Sequence, residues 1–211
     1  MPTSTQFWDK VAQKYAKSPI RDMPAYEYTL ERTRSYLNEG MRVLEVGCGT
    51  GSTALLLAAD VAQITGTDIS PEMVRIATEK AATEGVENAN FEVADGQAAA
   101  RGADGYDAVL GFNLFHLTEN PQTLFKTLHD QMGPGALFIS KTPCLSEPSI
   151  GLKRFLFAAM IPVMRLIGIA PFVSRFSFAH LESMIENAGF EIVETLSSPA
   201  MSRFIVARRR A

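Results

Sequence analysis

The 211-residue sequence is poor in cysteine and in charge, and both shortages exclude classes of protein. Its two cysteines, Cys48 and Cys144, lie far apart, which argues against a disulfide framework and against a zinc site. We therefore expect no metal. Charged residues make up 20% of the chain and the formal net charge is −3, so the composition does not favour nucleic-acid binding. We expect no nucleic-acid partner.

The apolar runs are also short. The apolar stretch between Arg154 and Arg165 is well below the roughly 20 residues that a membrane-spanning helix needs. Polar residues interrupt Met1–Ile20, which therefore lacks the continuous apolar centre of a secretory signal peptide. These two observations predict a cytoplasmic protein.

The most informative stretch that is present is Arg42–Ala58, with the sequence RVLEVGCGTGSTALLLA. Val43–Val46 predicts a buried strand and Thr53–Ala59 predicts a helix. Between them lie three glycines at alternate positions, namely Gly47, Gly49 and Gly51. Glycines let the backbone turn sharply and let a ligand approach closely, and a helix N-terminus presents unpaired N–H groups. A simple turn between strand and helix is the alternative interpretation.

After this stretch, strands and helices alternate along the chain. Further strands are predicted within Gln63–Asp68, Asn90–Gly96, Tyr106–Phe112 and Ala136–Lys141, and a closing antiparallel pair within Phe190–Leu196 and Arg203–Ala207. Helices are predicted at Pro71–Glu84, Gln122–Met132 and Phe178–Ala188, and Ala98–Gly105 is predicted to be a loop. Five alternating rounds predict a parallel, doubly wound α/β sheet.

We expect a single domain with four parts. Residues 1–40 form N-terminal cap helices, and residues 41–142 form the core that binds the cofactor. Residues 143–176 are rich in Leu, Phe, Ile, Met and Val and predict a helical insertion or lid. Residues 177–211 supply the closing helix and strand pair.

Polar residues follow several of the predicted strands. Asp68, Asp95 and Asn113 end or follow the second, third and fourth strands, and the glycine stretch ends the first. In an open α/β sheet, ligands bind beyond the carboxyl ends of the strands, so these residues predict one elongated pocket, which suits a nucleoside. The glycine spacing differs from the G-x-G-x-x-G of dinucleotide sites, and Glu45 would repel a phosphate. A cationic nucleoside without phosphate fits better, and an NAD-dependent oxidoreductase is disfavoured.

Four motifs in this order, VLEVGCGTG, GTDIS, VADG and YDAVLGFNLFH, resemble the class I S-adenosylmethionine-dependent methyltransferases. The resemblance is greatest to the small ubiquinone-biosynthesis-like subgroup, and it covers Arg42–Lys141 most strongly. It implies a Rossmann-like, doubly wound seven-stranded sheet, mostly parallel with the last strand antiparallel. N-terminal helices and a helical insertion after strand five would complete the fold. The implied cofactor is S-adenosylmethionine, with S-adenosylhomocysteine as its product.

The resemblance also assigns roles on the methionine and ribose side of the cofactor. It implies that the methionine part is lined by Glu45, Gly47, Cys48, Gly49 and Gly51. Asp68 would hold both ribose hydroxyls. Tyr15 resembles the helix tyrosine that caps the carboxylate end of the cofactor. Cys48 has a simpler alternative as a small loop residue, because no neighbouring base or cation is evident that would activate its thiol.

On the adenine side, the resemblance implies that Ile69 and Met73 flank the ring. It further implies that the adenine edge is contacted by Asp95, Gly96 and Gln97. Phe112 and Asn113 would lie beneath the sulfonium. Alternatives remain here too, because a methionine is more often a core residue, and an Asp before Gly is common in turns.

His116 is the candidate general base, since imidazole titrates near neutrality, and its alternative is a structural loop histidine. The acceptor is expected to be a small, largely hydrophobic molecule. The insertion would cover it as a lid with four side chains facing inwards, namely Phe155, Phe157, Met160 and Met164; burial of these side chains against the sheet is the alternative. Two other functions stay open: a lipid or quinone methyltransferase that docks transiently on a membrane surface, and a cofactor-binding protein without transferase activity.

Overall fold

The computed structural model describes residues 3–210 and confirms the seven-stranded sheet. The strands are β1 (Arg42–Val46), β2 (Gln63–Asp68), β3 (Ala89–Val93), β4 (Ala108–Phe112), β5 (Leu137–Pro143), β6 (Phe190–Leu196) and β7 (Ser202–Arg209). Their order across the sheet is β3-β2-β1-β4-β5-β7-β6, and β7 runs antiparallel to both of its neighbours. The strand order reverses between β1 and β4, so the carboxyl ends of these two strands border the crevice in which such sheets bind ligands.

Helices cover both faces of the sheet. They are α1 (Ser4–Lys17), α2 (Met23–Arg34), α3 (Ser52–Leu57), α4 (Pro71–Glu84), α5 (Gly96–Arg101), α6 (Pro121–Gln131), α7 (Lys153–Leu166) and α8 (Phe178–Asn187). Several begin where the sequence provides a cap. The Ser70 hydroxyl accepts a hydrogen bond from the Met73 N–H at the start of α4, and Gly85 ends that helix in the left-handed conformation.

The core has one layer on each face of the sheet. On the face that α5, α6 and α8 cover, aromatic rings dominate, with Phe138 in contact with Phe115, Phe125 and Phe190. On the other face, aliphatic side chains of the strands pack against α2, α3 and α4. Helix α2 is also held by a buried cation, because the Lys141 ammonium at the end of β5 donates to the Thr29 hydroxyl at 2.7 Å.

The prediction of a loop over Ala98–Gly105 is wrong, because the chain forms the short helix α5 over Gly96–Arg101. The carboxylate of Asp95 accepts a hydrogen bond from the Ala98 N–H at 2.7 Å and so caps the first turn. Three consecutive alanines, which have the highest helix propensity, follow the cap.

The insertion contains the predicted helix, α7, but none of its residues is buried. Phe155 and Met160, which the lid interpretation placed facing the acceptor, are exposed, whereas Phe157 and Met164 are half-buried. Burial of all four against the sheet, the alternative interpretation, is equally not observed. The chain after α7 returns to the sheet, where the Ser174 N–H donates to the His116 carbonyl oxygen at 2.6 Å.

Candidate active site

The loop after β1 needs glycine at each of its three alternate positions. Gly47, Gly49 and Gly51 have φ of 70°, 54° and 75°, a region that other residues rarely adopt. Space is also short, because a Cβ on Gly47 would lie 2.7 Å from the Leu114 side chain and one on Gly51 would lie 2.7 Å from Ala77. The loop therefore packs tightly against its neighbours at Gly47 and Gly51, whereas a Cβ on Gly49 would make only an ordinary contact with the Tyr15 ring, at 3.6 Å.

Asp68, at the end of β2, fixes this loop from one side. One carboxylate oxygen accepts the Gly49 N–H and the other accepts the Ser70 N–H, both at 2.9 Å. Burial raises the pKa of Asp68, and these hydrogen bonds oppose the rise. Each oxygen keeps a further lone pair, so the carboxylate can also accept hydrogen bonds from a ligand.

Lys80, on α4, holds the other side of the loop and was not recognised from the sequence. Its ammonium donates to the Thr50 carbonyl oxygen at 2.9 Å and to the Ser52 hydroxyl at 3.0 Å. Burial lowers the pKa of this lysine. Lys80 lies two and a half turns into α4, and no sequence pattern indicates that it contacts the glycine loop, because a single lysine on a helix is usually solvated.

Glu45 lies beneath the loop and is almost fully buried, with 2% of its surface exposed. Burial raises its pKa to about 8; the Ala54 N–H opposes this rise, and the nearby carboxylate of Asp68 adds to it. Its Oε2 atom has no hydrogen-bond partner among residues 3–210. A buried carboxylate oxygen without a partner is costly, so this atom is well suited to receive a donor from a ligand.

Tyr15 brings α1 to the same place. A Cβ on Gly49 would lie 3.6 Å from its ring, although 54% of the side chain remains exposed. Loss of water around the phenol, followed by the charges of Glu45 and Asp68, raises its pKa. The structure thus brings Tyr15 together with both carboxylates and the glycine loop.

Asp9 holds α1 in this position and was not recognised from the sequence. Its carboxylate accepts the Ser70 hydroxyl at 2.5 Å and the Glu72 N–H at 3.1 Å, so it joins Ser70 in capping α4. Met73, in the same turn, is buried between α1 and α4 together with Ala12. That burial leaves Met73 little surface with which to flank an adenine.

The other residues assigned to the adenine side are more scattered. Asp95 is exposed and caps α5, and Gly96 begins that helix. The side-chain oxygen of Gln97 accepts the Thr127 hydroxyl at 3.1 Å, so this side chain faces α6. Ile69 is half-buried beside Asp68.

Cys48 lies inside the glycine loop as a buried thiol. Its Sγ atom lies 3.6 Å from the Gly49 carbonyl oxygen, and burial raises its pKa. A thiol with a raised pKa is a poor nucleophile at neutral pH, which agrees with a packing role.

Phe112, the last residue of β4, is half-buried, and Asn113, which follows it, is exposed. Asn113 has φ of 54°, which asparagine tolerates better than most residues, and its N–H donates to the Lys141 carbonyl oxygen at 2.8 Å. His116 follows in a short 3-10 turn, where burial lowers its pKa to about 4. The Nδ1 atom of His116 has no partner among residues 3–210.

Comparison with known proteins shows to which family the chain belongs. Residues 20–195 match the family model described as "Methyltransferase domain". The chain belongs to this methyltransferase family. It is a class I S-adenosylmethionine-dependent methyltransferase, as the motifs at the strand ends indicated.

Relatives and solved structures agree with this family. A ubiquinone biosynthesis O-methyltransferase of Xanthomonas axonopodis pv. citri is 26% identical over 197 residues, covering 90% of this chain and 77% of the relative. A SAM-dependent methyltransferase of Methanosarcina mazei aligns with a TM-score of 0.68 at 20% identity, covering 84% of this methyltransferase and 96% of that chain. The [4+2]-cyclase SpnF aligns with a TM-score of 0.73 at 19% identity, covering 100% of this chain and 97% of the cyclase chain. At these identities the two structures show the fold alone.

The residues of the methyltransferase fit its cofactor, S-adenosylmethionine. The Oε2 atom of Glu45 has no partner among residues 3–210, and this carboxyl is close enough to Cys48 of the glycine loop and to Tyr15 for its charge to raise the pKa of both. Neither Glu45 nor Asp68 forms an ion pair with a lysine or arginine within the described chain. Asp68, together with a Glu45 carboxyl that a cation would favour in its ionised form, makes this surface better suited to a cationic nucleoside than to a phosphate.

The first prediction concerns the buried Glu45. The folded chain keeps this proton up to about pH 8, whereas the unfolded chain gives it up near pH 4.5, so stability should fall as pH rises between these values. The slope is at most about 1.4 kcal/mol per pH unit. The glutamine of Glu45→Gln cannot ionise. Thermal and urea unfolding from pH 5 to 8.5 should therefore show that the free energy of unfolding of the variant increases relative to that of the wild type as pH rises. Exposed Glu39→Gln is the control, and parallel wild-type and Glu45→Gln profiles would contradict the assignment.

The second prediction concerns His116, whose shifted pKa makes stability depend on pH in the opposite direction to that of Glu45. Its folded pKa lies below the ordinary 6.5, so it should remain neutral in the folded chain and cost stability as pH falls from 6.5 towards 4. Proton NMR of the three histidines, with His116→Asn to assign the resonance, should show no titration of His116 between pH 5.5 and 8. A midpoint near 6.5 would show that the imidazole is hydrated instead.

Proposed function

We propose that this enzyme transfers the methyl group of S-adenosylmethionine to a small, largely apolar acceptor. The observation that supports the donor half best is the buried Glu45 carboxyl, with its orphaned oxygen, beside the glycine loop. Relatives named for ubiquinone O-methylation support a small-molecule acceptor.

Positioning by residues of this chain would supply most of the rate acceleration. When bound, S-adenosylmethionine provides a methyl group on a sulfonium that an acceptor can attack in line. Asp68, oriented by the Gly49 and Ser70 N–H groups, would accept the ribose hydroxyls. Glu45 would receive cationic donors of the methionine part, and Tyr15 would cover its end. Holding both reactants in a fixed geometry and excluding water is sufficient for such a displacement.

A base is needed only where the acceptor arrives protonated. We retain His116 as the proposed base because it follows β4, close to Asn113. Its low pKa makes it a weak proton acceptor at neutral pH, so its contribution would be small for an acceptor with a high pKa.

A cofactor-binding role without methyl transfer is the competing function, since a similar fold is found in a protein titled as a [4+2]-cyclase. Incubating the enzyme with methyl-labelled S-adenosylmethionine and a metabolite extract separates the two. A labelled small molecule supports transfer, whereas tight S-adenosylhomocysteine binding without any labelled product supports the competing function.

A second proposal is that α7 contacts an anionic membrane surface transiently, so that an apolar acceptor is taken from the bilayer. The exposed side of α7 is a continuous apolar stripe at helical spacing, formed by Phe155, Leu156, Met160, Val163 and Leu166. Residues 148–181 contain four lysines or arginines and no aspartate or glutamate. An apolar stripe with flanking cations is typical of helices that lie in the membrane interface. No helix among residues 3–210 is long and apolar enough to cross a membrane.

The third prediction tests the donor site through Asp68. Asp68→Asn should weaken S-adenosylhomocysteine binding in calorimetry by about 1–3 kcal/mol, because the amide cannot accept on both sides. Asp104→Asn, in the exposed loop before β4, is the matched control. Thermal unfolding establishes that both variants fold. Unchanged affinity in folded Asp68→Asn would remove Asp68 from the cofactor site.

The fourth prediction tests the membrane proposal. Leu156→Glu and Val163→Glu, at positions 55% and 58% exposed, should abolish co-sedimentation with vesicles of anionic phospholipid without loss of folding. Leu56→Glu, at a 47% exposed position on α3, should leave it unchanged. Wild-type protein that fails to sediment, or that sediments equally with neutral vesicles, would contradict electrostatic docking.

A further inference from the structure

A cavity of about 150 Å³ lies where the start of α1, the loop after β4 and the segment after α7 meet. Its apolar lining comes from Phe7, Ala170, Pro171 and Phe172, and its charged lining from Glu119 and Arg165. None of the glycine-loop residues lines it, so it is a space separate from the donor site.

The cavity nevertheless lies close to the proposed donor site, because two elements border both. Phe7 lines the cavity and Tyr15 lies beside Gly49, and the sequence separation of eight residues corresponds to an advance of about 12 Å along α1. The loop after β4 begins at Asn113 and reaches the cavity at Glu119. This separation is comparable to the length of a small organic molecule, so the cavity is placed to hold the far end of an acceptor.

Arg165 is the unusual residue of the lining. Its guanidinium Cζ lies 4.9 Å from the centre of the Phe172 ring, and the guanidinium forms no hydrogen bond or ion pair with any residue in the described range. A guanidinium has five donors and binds carboxylates bidentately. A half-buried guanidinium with all of them free can therefore pair with an anion on a ligand.

Glu119 is the carboxylate that could oppose this preference. It lies more than 4 Å from Arg165, since the two form no ion pair, and it is exposed to solvent. Water and salt screen an exposed charge more strongly than one that is partly buried against apolar groups. The positive charge of Arg165 should therefore have the larger effect on a ligand in the cavity, and Glu119 should weaken anion binding only slightly.

We propose that this cavity binds the acceptor and that the acceptor is an apolar carboxylic acid. Its carboxylate pairs with Arg165, and its apolar body packs against Phe7 and Phe172. The identification of the bound acid as the methyl acceptor rests on the proposed function. Binding of an acid in this cavity can be tested without methyl transfer.

The experiment compares two probes with the same carbon skeleton, 3-phenylpropanoate and 3-phenylpropanol, by ligand-observed NMR with and without S-adenosylhomocysteine. Wild type should bind the acid at least about tenfold more tightly than the alcohol, and Arg165→Gln should abolish that preference. Glu119→Gln should strengthen acid binding by about twofold to threefold, because it removes a screened repulsion. Arg154→Gln is the matched control: Arg154 also stacks on an aromatic ring, that of Phe155, but lies outside the cavity.

Three results would overturn the proposal: equal affinity for acid and alcohol, equal losses in Arg165→Gln and Arg154→Gln, or no binding of either probe. Its failure is distinguishable from failure of the proposed function. If S-adenosylhomocysteine binds but the acid preference is missing, only the acid site fails. If the acid preference holds but S-adenosylhomocysteine does not bind, the donor assignment fails instead.

Discussion

The carboxylate of Asp68 is the contact on which the proposed donor site depends, because it fixes two chain segments at once. A glycine loop has no side chains with which to hold its own shape, so its conformation must be imposed from outside. Asp68 accepts one N–H from that loop and one from the start of α4. Lys80 returns from α4 to the far side of the same loop. The β2–α4 unit therefore sets the position of the backbone that would face the cofactor in the proposed donor site.

Electrostatics explains why this loop suits a sulfonium nucleoside and disfavours a dinucleotide. Both sites place a helix N-terminus behind glycines, and a helix N-terminus alone favours anions. Here Glu45, Asp68 and the phenol of Tyr15 surround the loop with acceptors, and Glu45 is protonated at neutral pH because burial makes its charge costly. Arrival of a cation would make the charged carboxylate favourable again, so cofactor binding and release of that proton should be coupled.

The strand ends could be predicted from sequence because local patterns determine them. A short apolar run followed by Gly or Asp marks both the end of β1 and the end of β2, and the parallel sheet then brings these ends together. Asp9 and Lys80 could not be predicted, because their partners lie 61 and 30 residues away along the chain. Helix α5 was missed because a six-residue helix has too few residues to show a period. The exposed stripe of α7 has the composition of a core helix, and only its surroundings distinguish the two.

Helix α1 connects the two halves of the proposed reaction. It contacts α4 through Asp9 and the glycine loop through Tyr15, and Phe7 lines the cavity that is proposed to bind the acid. A helix of 14 residues behaves as one rigid body, so the donor site and the cavity keep a fixed separation as long as α1 stays docked. The segment after α7 lines the cavity with Ala170, Pro171 and Phe172, and it forms no hydrogen bond with the glycine loop among residues 3–210. If the cavity binds the acceptor as proposed, substitutions there would alter which acceptor is bound without disturbing the proposed donor site.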